Sequence, residues 1–244
     1  MARTRVPGAV STRVDLPTIG QEIRRSSRSA QNALRASPEF VGVVLREADS
    51  NVESIAARAG PEQKEQEFAP PPSLPCNTIC VYTDGSVKLQ SAGFGVSIVA
   101  GAVDGHLDAG ASEIEALCGP VETGDANGVE RLTSSAAELS AIIEGLRWVR
   151  TRPELRGRPT IIRSDDKCAA LIAAGVWRAK RPAKANKALA LTARAEWELT
   201  RSATRSRLYL AYVKGHSGHP HNNRADRLAY SGRLGQRLPA IVVD

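Results

Sequence analysis

The sequence predicts an α/β domain, a five-stranded mixed β-sheet flanked by α-helices. Three short β-type segments follow one another before the first long amphipathic helix, which is typical of an antiparallel meander. Strand and helix patterns then alternate, which favours parallel additions to the same sheet. Apolar residues make up 42% of the 244 residues and aromatic residues only 4%. The core should therefore be largely aliphatic.

Residues 1–75 differ from the rest of the chain and are expected to form a largely disordered, basic extension. Arg and Ser cluster in "RRSSRSA" (24–30), and "APPPSLP" (69–75) predicts an extended Pro-rich linker. A weak amphipathic helix fits residues 38–59. Residues 1–36 contain seven Arg and two acidic residues, a composition also typical of organelle transit peptides. Mitochondrial targeting is thus the alternative to a cytoplasmic or nuclear location.

The first three strands are predicted from short runs of β-branched and apolar residues. In "TICVYTD" (78–84), β-branched residues alternate with their neighbours, and the strand is expected to end at Asp84. "GFGVSIVAGAV" (93–103) predicts the second strand, and residues 112–121 predict the third. A loop rich in Gly, Asp and Asn follows.

Helices and strands alternate after that loop. Apolar residues repeat at intervals of three and four over 139–149, which predicts a strong amphipathic helix capped by Ser134 or Ser135. The remaining elements are predicted as a strand at 159–165, a short helix at 166–175 closed by Gly175, a helix at 183–201, a strand at 207–213 and a last helix with Asn222 as its N-cap. We expect one folded domain over 76–232 and a tail over 233–244.

The charge distribution indicates an anionic partner. The formal net charge is +7 and the isoelectric point is near 9.5, which favours nucleic acid. The segment from Arg178 to Lys214 has ten Lys or Arg residues against two acidic ones. Trp177 and Trp197 interleave with these cations, so a docking surface is a stronger interpretation than a merely solvated face.

Cysteine usage and hydropathy exclude several protein classes. The four cysteines have no CxxC spacing, so neither a zinc knuckle nor a disulfide framework is indicated, and a reducing intracellular compartment is expected. No apolar run approaches the roughly 18 residues that a membrane span requires. No apolar segment follows the first residues, which argues against a secretory signal.

Four acidic residues occupy suggestive positions in the predicted layout. Asp84 and Asp165 end the first and fourth strands, and ligands gather at the carboxyl ends of neighbouring strands in such sheets. Glu138 lies in the first turn of the main helix, and Asp226 lies one turn into the last helix. Each has an ordinary explanation, as a turn residue or as a partner for a helix dipole. Their order and context together favour a shared site.

Four motifs carry a family resemblance. They are "YTDGS" (82–86), "AAELSAIIEGL" (136–146), "IIRSD" (161–165) and "YVKGHSGHPHNNRADRLA" (212–229). In this order they resemble the pattern of type 1 ribonuclease H over about two thirds of the chain. The resemblance implies an RNase H-like fold and a divalent-metal-dependent endonuclease that hydrolyses the RNA strand of RNA–DNA hybrids.

The resemblance also implies roles for the acidic residues and for one histidine. A carboxylate cluster suits two divalent ions during an in-line displacement, and Mg²⁺, with Mn²⁺ as a substitute, prefers such oxygen ligands. The implied metal ligands are Asp84, Glu138, Asp165 and Asp226. His216 matches the family histidine that assists proton transfer or product release. A zinc site formed by His216 with His219 and His221 is a weaker alternative, because no cysteine or helical spacing supports it.

The hybrid partner implies a set of substrate-binding residues. Trp177 and the cations that follow it resemble a shortened form of the basic, Trp-containing protrusion of cellular relatives. The implied substrate-binding residues are Gly85, Ser86, Ser134, Lys167, Trp177, Arg178, Lys180, Arg181, Lys184, Lys187, Lys214 and Asn222. The chain departs from the family pattern in the short loop "VKLQSAG" (87–93), in the serines at 134 and 135 where relatives have Asn, and in Lys167 where relatives have Gln.

Other interpretations remain open at this point. One is a non-catalytic nucleic-acid-binding module on the same fold, although a pure binder is poorly served by clustered negative charge. A second is a nuclease of this fold that acts on DNA or double-stranded RNA. A third is a ribonuclease H domain derived from a retroelement. The expected partner is an RNA–DNA hybrid, no membrane is expected, and the protein is expected to be a monomer.

Overall fold

A computed structural model of the chain describes residues 61–101, 111–177 and 186–238. The helices are α1 (Pro61–Phe68), α2 (Ser134–Arg150), α3 (Lys167–Ala173), α4 (Lys187–Ala203) and α5 (Pro220–Arg233). The strands are β1 (Ile79–Lys88), β2 (Ser91–Ala100), β3 (Ser112–Val121), β4 (Thr160–Ser164) and β5 (Leu208–Tyr212), and a 3₁₀ turn covers Pro153–Leu155. The helix predicted at 38–59 lies outside the described residues.

The five strands form one mixed sheet in the order β3-β2-β1-β4-β5. The first three strands are antiparallel, whereas β4 and β5 add in parallel next to β1. This arrangement confirms the predicted fold class. Because β1 and β4 run parallel, the carboxyl end of β4 lies beside Thr83, the residue before Asp84.

Helices cover both faces of the sheet. Side chains of α2, α3 and α4 form the main aliphatic core with β1, β2 and β4, and the largest fully buried side chain is Trp197 of α4. A smaller cluster on the opposite face joins Cys80, Tyr82 and Ile161 to Ala225 of α5. The sheet therefore lies between two layers of helices, and the last helix, α5, belongs to the layer on this second face.

Two helix starts differ from the prediction. Thr133, and neither Ser134 nor Ser135, caps α2, because its hydroxyl accepts from the Ala136 N–H at 3.1 Å. The last helix begins at Pro220, and its N-cap is His219, three residues before the predicted N-cap Asn222. A proline at the first helical position has a favourable φ and leaves no N–H without a partner. Asn222 therefore lies inside the first turn, where its side chain is free for another role.

The packed unit extends beyond the 76–232 range predicted from the sequence. Phe68 at the end of α1 is 7% exposed and meets Trp197 edge-on, with ring centroids 5.5 Å apart. At the other end, Leu238 forms an antiparallel bridge with Cys118 of β3. The sequence offers no local signal for either contact, since each joins segments that are far apart in the chain.

A buried carboxylate joins α2 to α4. Glu196 accepts from Arg147 Nε at 2.9 Å and from Arg150 Nε at 3.0 Å. Two arginines on successive turns of α2 thus share one acid of α4, and this fixes the helix that carries Glu138.

Within the described residues, no helix combines the length and the hydropathy needed to cross a membrane.

Candidate active site

Three of the four predicted acids meet at the carboxyl edge of the sheet. Asp84, Glu138 and Asp165 each offer one carboxylate oxygen, and these oxygens all lie within 4.8 Å of one another. Asp226 of α5 is half-buried and lies near enough for its charge to raise the pKa of Asp84. One carboxylate thus comes from β1, one from the residue after β4, one from α2 and one from α5. All four belong to the same carboxylate cluster.

Asp84 occupies a different backbone position from the one predicted. β1 does not end there but continues to Lys88 as a hairpin with β2, in which Asp84 pairs with Gly95. The parallel pairing with β4 ends one residue earlier, at Thr83 and Ser164. Asp84 therefore lies where β4 leaves the sheet, and this departure, instead of a turn in β1, opens the space around its carboxylate.

Gly85 is explained by close packing and has no role in a turn. A Cβ at this position would lie 2.4 Å from the backbone nitrogen of Glu138 and 2.6 Å from the carbonyl carbon of Ala137. Only glycine lets β1 approach the first turn of α2 so closely. The Gly85 N–H also donates to Asp84 Oδ1 at 2.7 Å, so this residue positions two of the carboxylates at once.

The cluster is electrostatically unfavourable without a cation. Burial, reinforced by the charges of Asp165 and Asp226, raises the pKa of Asp84 from 3.8 to about 7. Burial and the neighbouring acids Asp84 and Asp165 raise the pKa of Glu138 well above its usual value. Because like charges at this separation oppose ionisation, the group gains most from a bound positive charge.

The donor set fits a hard divalent cation. All the ligand atoms are carboxylate oxygens, which Mg²⁺, Mn²⁺ and Ca²⁺ prefer. Glu138 is 5% exposed, and its Oε2 is buried without a hydrogen-bond partner in the described part of the chain. A buried acceptor of this kind is normally satisfied, so a ligand of positive charge is the expected partner. No other group of three or more His, Cys, Asp or Glu side chains with this spacing occurs among the described residues, so the zinc alternative gains no support.

The sequence pattern of the RNase H family matches residues 77–233. This range contains all four carboxylates and the loop before α5. The chain belongs to the RNase H family. The resemblance inferred from the motifs is thereby confirmed, and family membership makes the chain an endoribonuclease.

Comparisons with known proteins match a similar part of the chain. The ribonuclease H of Cupriavidus necator is 30% identical over 162 residues, which cover 63% of this chain and 94% of that protein. LC11-RNase H1, solved in complex with an RNA/DNA hybrid, is 19% identical with a TM-score of 0.47, and the match covers 64% of this chain and 96% of that one. The foamy viral protease–reverse transcriptase, also solved with an RNA/DNA hybrid, is 18% identical with a TM-score of 0.46 over 67% of this chain and 21% of that one.

The loop between β5 and α5 brings His216 to the rim of the RNase H site. His216 is exposed and adopts a left-handed backbone conformation with φ +52°. Its neighbour Gly215 lies against the active-site acid, since a Cβ there would be 2.6 Å from Asp165 Oδ2. The loop thus lies directly on the carboxylate cluster and leaves the imidazole accessible to solvent.

Asn222 contacts the carboxylate cluster and lies below the surface. It is 2% exposed, and its Nδ2 donates to Asp165 Oδ2 at 3.4 Å. Its Oδ1 is buried without a partner in the described residues. This side chain therefore orients Asp165 of the carboxylate cluster, and the direct substrate contact expected of Asn222 stays a prediction.

Most of the other predicted substrate contacts that the structure describes are exposed. Ser134, Lys167, Lys187 and Lys214 are exposed, and Trp177 is 41% exposed. Ser86 accepts a hydrogen bond from Arg233 Nε at 3.1 Å. The predicted contacts Arg178, Lys180, Arg181 and Lys184 lie outside the described residues.

One buried residue of the RNase H domain was missed by sequence reasoning. Asn186, 2% exposed, accepts from the N–H groups of Glu130 and Arg131 at 3.0 and 3.1 Å and donates to the Arg131 carbonyl at 3.1 Å. Its amide also lies 3.4 Å from the Thr133 hydroxyl that caps α2. The start of α4 is therefore fastened to the loop that leads into Glu138. Its position within the basic segment 178–214 is the only signal that could have drawn attention to it.

Proposed function

We propose that the chain hydrolyses the RNA strand of RNA–DNA hybrids at internal phosphodiester bonds, with two Mg²⁺ ions held by Asp84, Glu138, Asp165 and Asp226. The single observation that carries the proposal is the convergence of buried carboxylates with an orphaned oxygen at the carboxyl edge of an RNase H domain. Mn²⁺ is expected to substitute, since it takes the same oxygen ligands. When bound, divalent ions neutralise phosphate charge and activate water for an in-line displacement.

The protein residues prepare the site before any ion arrives. Asp84 and Glu138 are fixed by the contact of β1 with the first turn of α2, and Asp165 is oriented by the amide of Asn222. Because these side chains are already in place, little reorganisation is needed when substrate binds. At neutral pH a proton held on Asp84 or Glu138 must leave as the cations bind, so metal affinity should rise with pH.

His216 is the candidate for proton transfer at the rim. Its side chain is exposed, and the loop that carries it contacts Asp165 through Gly215. Histidine is the side chain most often used for general acid–base catalysis. We assign to it the protonation of the leaving oxygen or the release of product, as the family resemblance implies.

Substrate specificity is tested by comparing four labelled nucleic acids of one sequence. The proposal predicts Mg²⁺-dependent internal cleavage of the RNA in the hybrid and little cleavage of single-stranded RNA, double-stranded RNA or double-stranded DNA. Equal rates on the hybrid and on double-stranded RNA would contradict the hybrid assignment. Asp165→Asn should abolish cleavage while the hybrid is still bound, because the substitution removes a ligand charge and keeps the side-chain shape.

A further inference from the structure

Helix α1 is docked beside the active site through its last turn. Phe68 packs edge-on against Trp197, and the Arg201 guanidinium lies 5.3 Å from the Phe68 ring. Arg201 also pairs with Glu67 at 2.8 Å. These contacts attach the end of α1 to α4, so the helix has a fixed position relative to the catalytic domain.

The same helix holds a cation close to the catalytic acids. Glu65 contacts the Lys167 ammonium with both carboxylate oxygens, at 3.0 and 3.2 Å. Lys167 is the first residue of α3 and follows the metal-ligating Asp165 by only two positions. Its side chain is 56% exposed and that of Glu65 is 28% exposed. An exposed pair of this kind is weak and exchanges readily with other charged partners.

A cavity of about 140 Å³ adjoins the pair. It is lined by Glu65 and Lys167, by apolar residues of α3 and β5, and by Ser164 and Tyr212. Tyr212 is 60% exposed and pairs in register with Ser164, the residue before Asp165. Glu65 lines this cavity and keeps 28% of its side chain exposed, so its ion pair with Lys167 is accessible to water and to charged ligands.

We propose that Lys167 binds a phosphate of the nucleic acid next to the scissile bond and that Glu65 competes with that phosphate for it. α1 then acts as an acidic competitor: its sequence PEQKEQEF has three Glu and one Lys, in a chain of net charge +7. A lysine engaged by an internal carboxylate cannot release counterions from nucleic acid until the pair opens. The inference rests on the proposed function, because it names a determinant of affinity for the same substrate.

The test uses the full chain and a short fluorescein-labelled RNA–DNA hybrid in EDTA, where no cleavage occurs. Glu65→Gln should lower the Kd about two- to fivefold, the range expected when a weak surface pair is removed. The slope of log Kd against log salt should steepen by about one unit, since one more cation becomes available to phosphate. Glu67→Gln is the matched control: it lies on the same helix and pairs with Arg201, so the Kd should stay unchanged.

A double-mutant cycle identifies Lys167 as the target. In a Lys167→Gln background, Glu65→Gln should have no effect on the Kd. In Mg²⁺, Glu65→Gln should lower KM and leave kcat unchanged. The inference is overturned if Glu65→Gln binds like the unmodified chain, if Glu67→Gln tightens binding equally, or if the effect persists without Lys167. Hybrid binding that follows this pattern without any Mg²⁺-dependent cleavage would support the inference and contradict the proposed function.

Discussion

Replacing Asp84 by Asn should stabilise the metal-free protein at alkaline pH while it abolishes catalysis. Asn keeps the shape of the side chain and can still accept the hydrogen bond from the Gly85 N–H. It removes a buried charge that burial, Asp165 and Asp226 all disfavour. Stability and activity should thus change in opposite directions at this position, as expected for a residue selected for its function.

The magnitude follows from the pKa of Asp84, which rises from 3.8 to about 7. A carboxyl group with a raised pKa in the folded state binds more protons there than in the unfolded state. Its contribution to stability is therefore greatest below the unfolded pKa and is lost as the pH rises toward the folded pKa. At about 1.36 kcal/mol for each pKa unit, the full loss is about 4 kcal/mol, of which about 2.5 kcal/mol falls between pH 5 and pH 8.

Urea unfolding in EDTA, followed by tryptophan fluorescence, measures this contribution. The free energy of unfolding of the unmodified chain, relative to that of Asp84→Asn, should fall by about 2.5 kcal/mol between pH 5 and pH 8. The comparison cancels the titration of groups whose pKa does not depend on Asp84. Glu138, whose pKa the Asp84 charge helps to raise, adds to the difference between the two proteins in the same direction. Added Mg²⁺ should restore the stability of the unmodified chain and have a smaller effect on the variant. A difference that is constant with pH, or that grows in favour of the unmodified chain, would refute the reasoning.

Three further substitutions test how the site is positioned. Gly85→Ala should lower the free energy of unfolding by about 1 to 3 kcal/mol and reduce kcat, because the new methyl group meets the backbone of Glu138. Thermal unfolding and steady-state rates measure the two effects. Unchanged rates would argue against close packing at this contact. Asn186→Ala should destabilise by about 2 kcal/mol, since two backbone N–H groups lose their buried acceptor, and a normal urea midpoint would contradict this. Glu196→Ala should lower the free energy of unfolding by about 1 to 2 kcal/mol, because two partly exposed arginines of α2 lose their partner. Urea unfolding at high salt should still show much of this loss. If high salt abolished the difference, the ion pair would behave as a surface pair.

The sequence could predict the strands and the main helices because their signals are local. The third strand, for example, was predicted over 112–121, and β3 has these bounds. The start of the last helix was misplaced by three residues, because Asn222 has the side chain of a typical N-cap whereas the N-cap is His219. In the fold, a hydrogen bond joins His219 Nε2 to the Tyr82 hydroxyl at 3.3 Å, which holds the true N-cap from a distant strand. Such pairings depend on residues more than a hundred positions apart, so no local pattern reveals them.

The candidate site, too, could be predicted only where its signals are local. The acids could be recognised because the motifs surround each of them in order. The position of Asp84 within a continuing strand could not be recognised, because Gly-Ser is a common turn pair and only the contact with α2 explains Gly85. Lys167 could be noted as a departure from the family pattern. Its partner Glu65 belongs to a segment that the composition assigned to an extension, so the ion pair was hidden from sequence reasoning.

The most direct test of the central claim is the metal dependence of cleavage of a hybrid labelled at the 5′ end of its RNA. If the carboxylate cluster holds the catalytic cations, internal RNA products should appear with Mg²⁺ or Mn²⁺, vanish in EDTA, and be absent for Asp84→Asn at every Mg²⁺ concentration. Cleavage of the hybrid in EDTA, or at the normal rate by Asp84→Asn, would contradict the account.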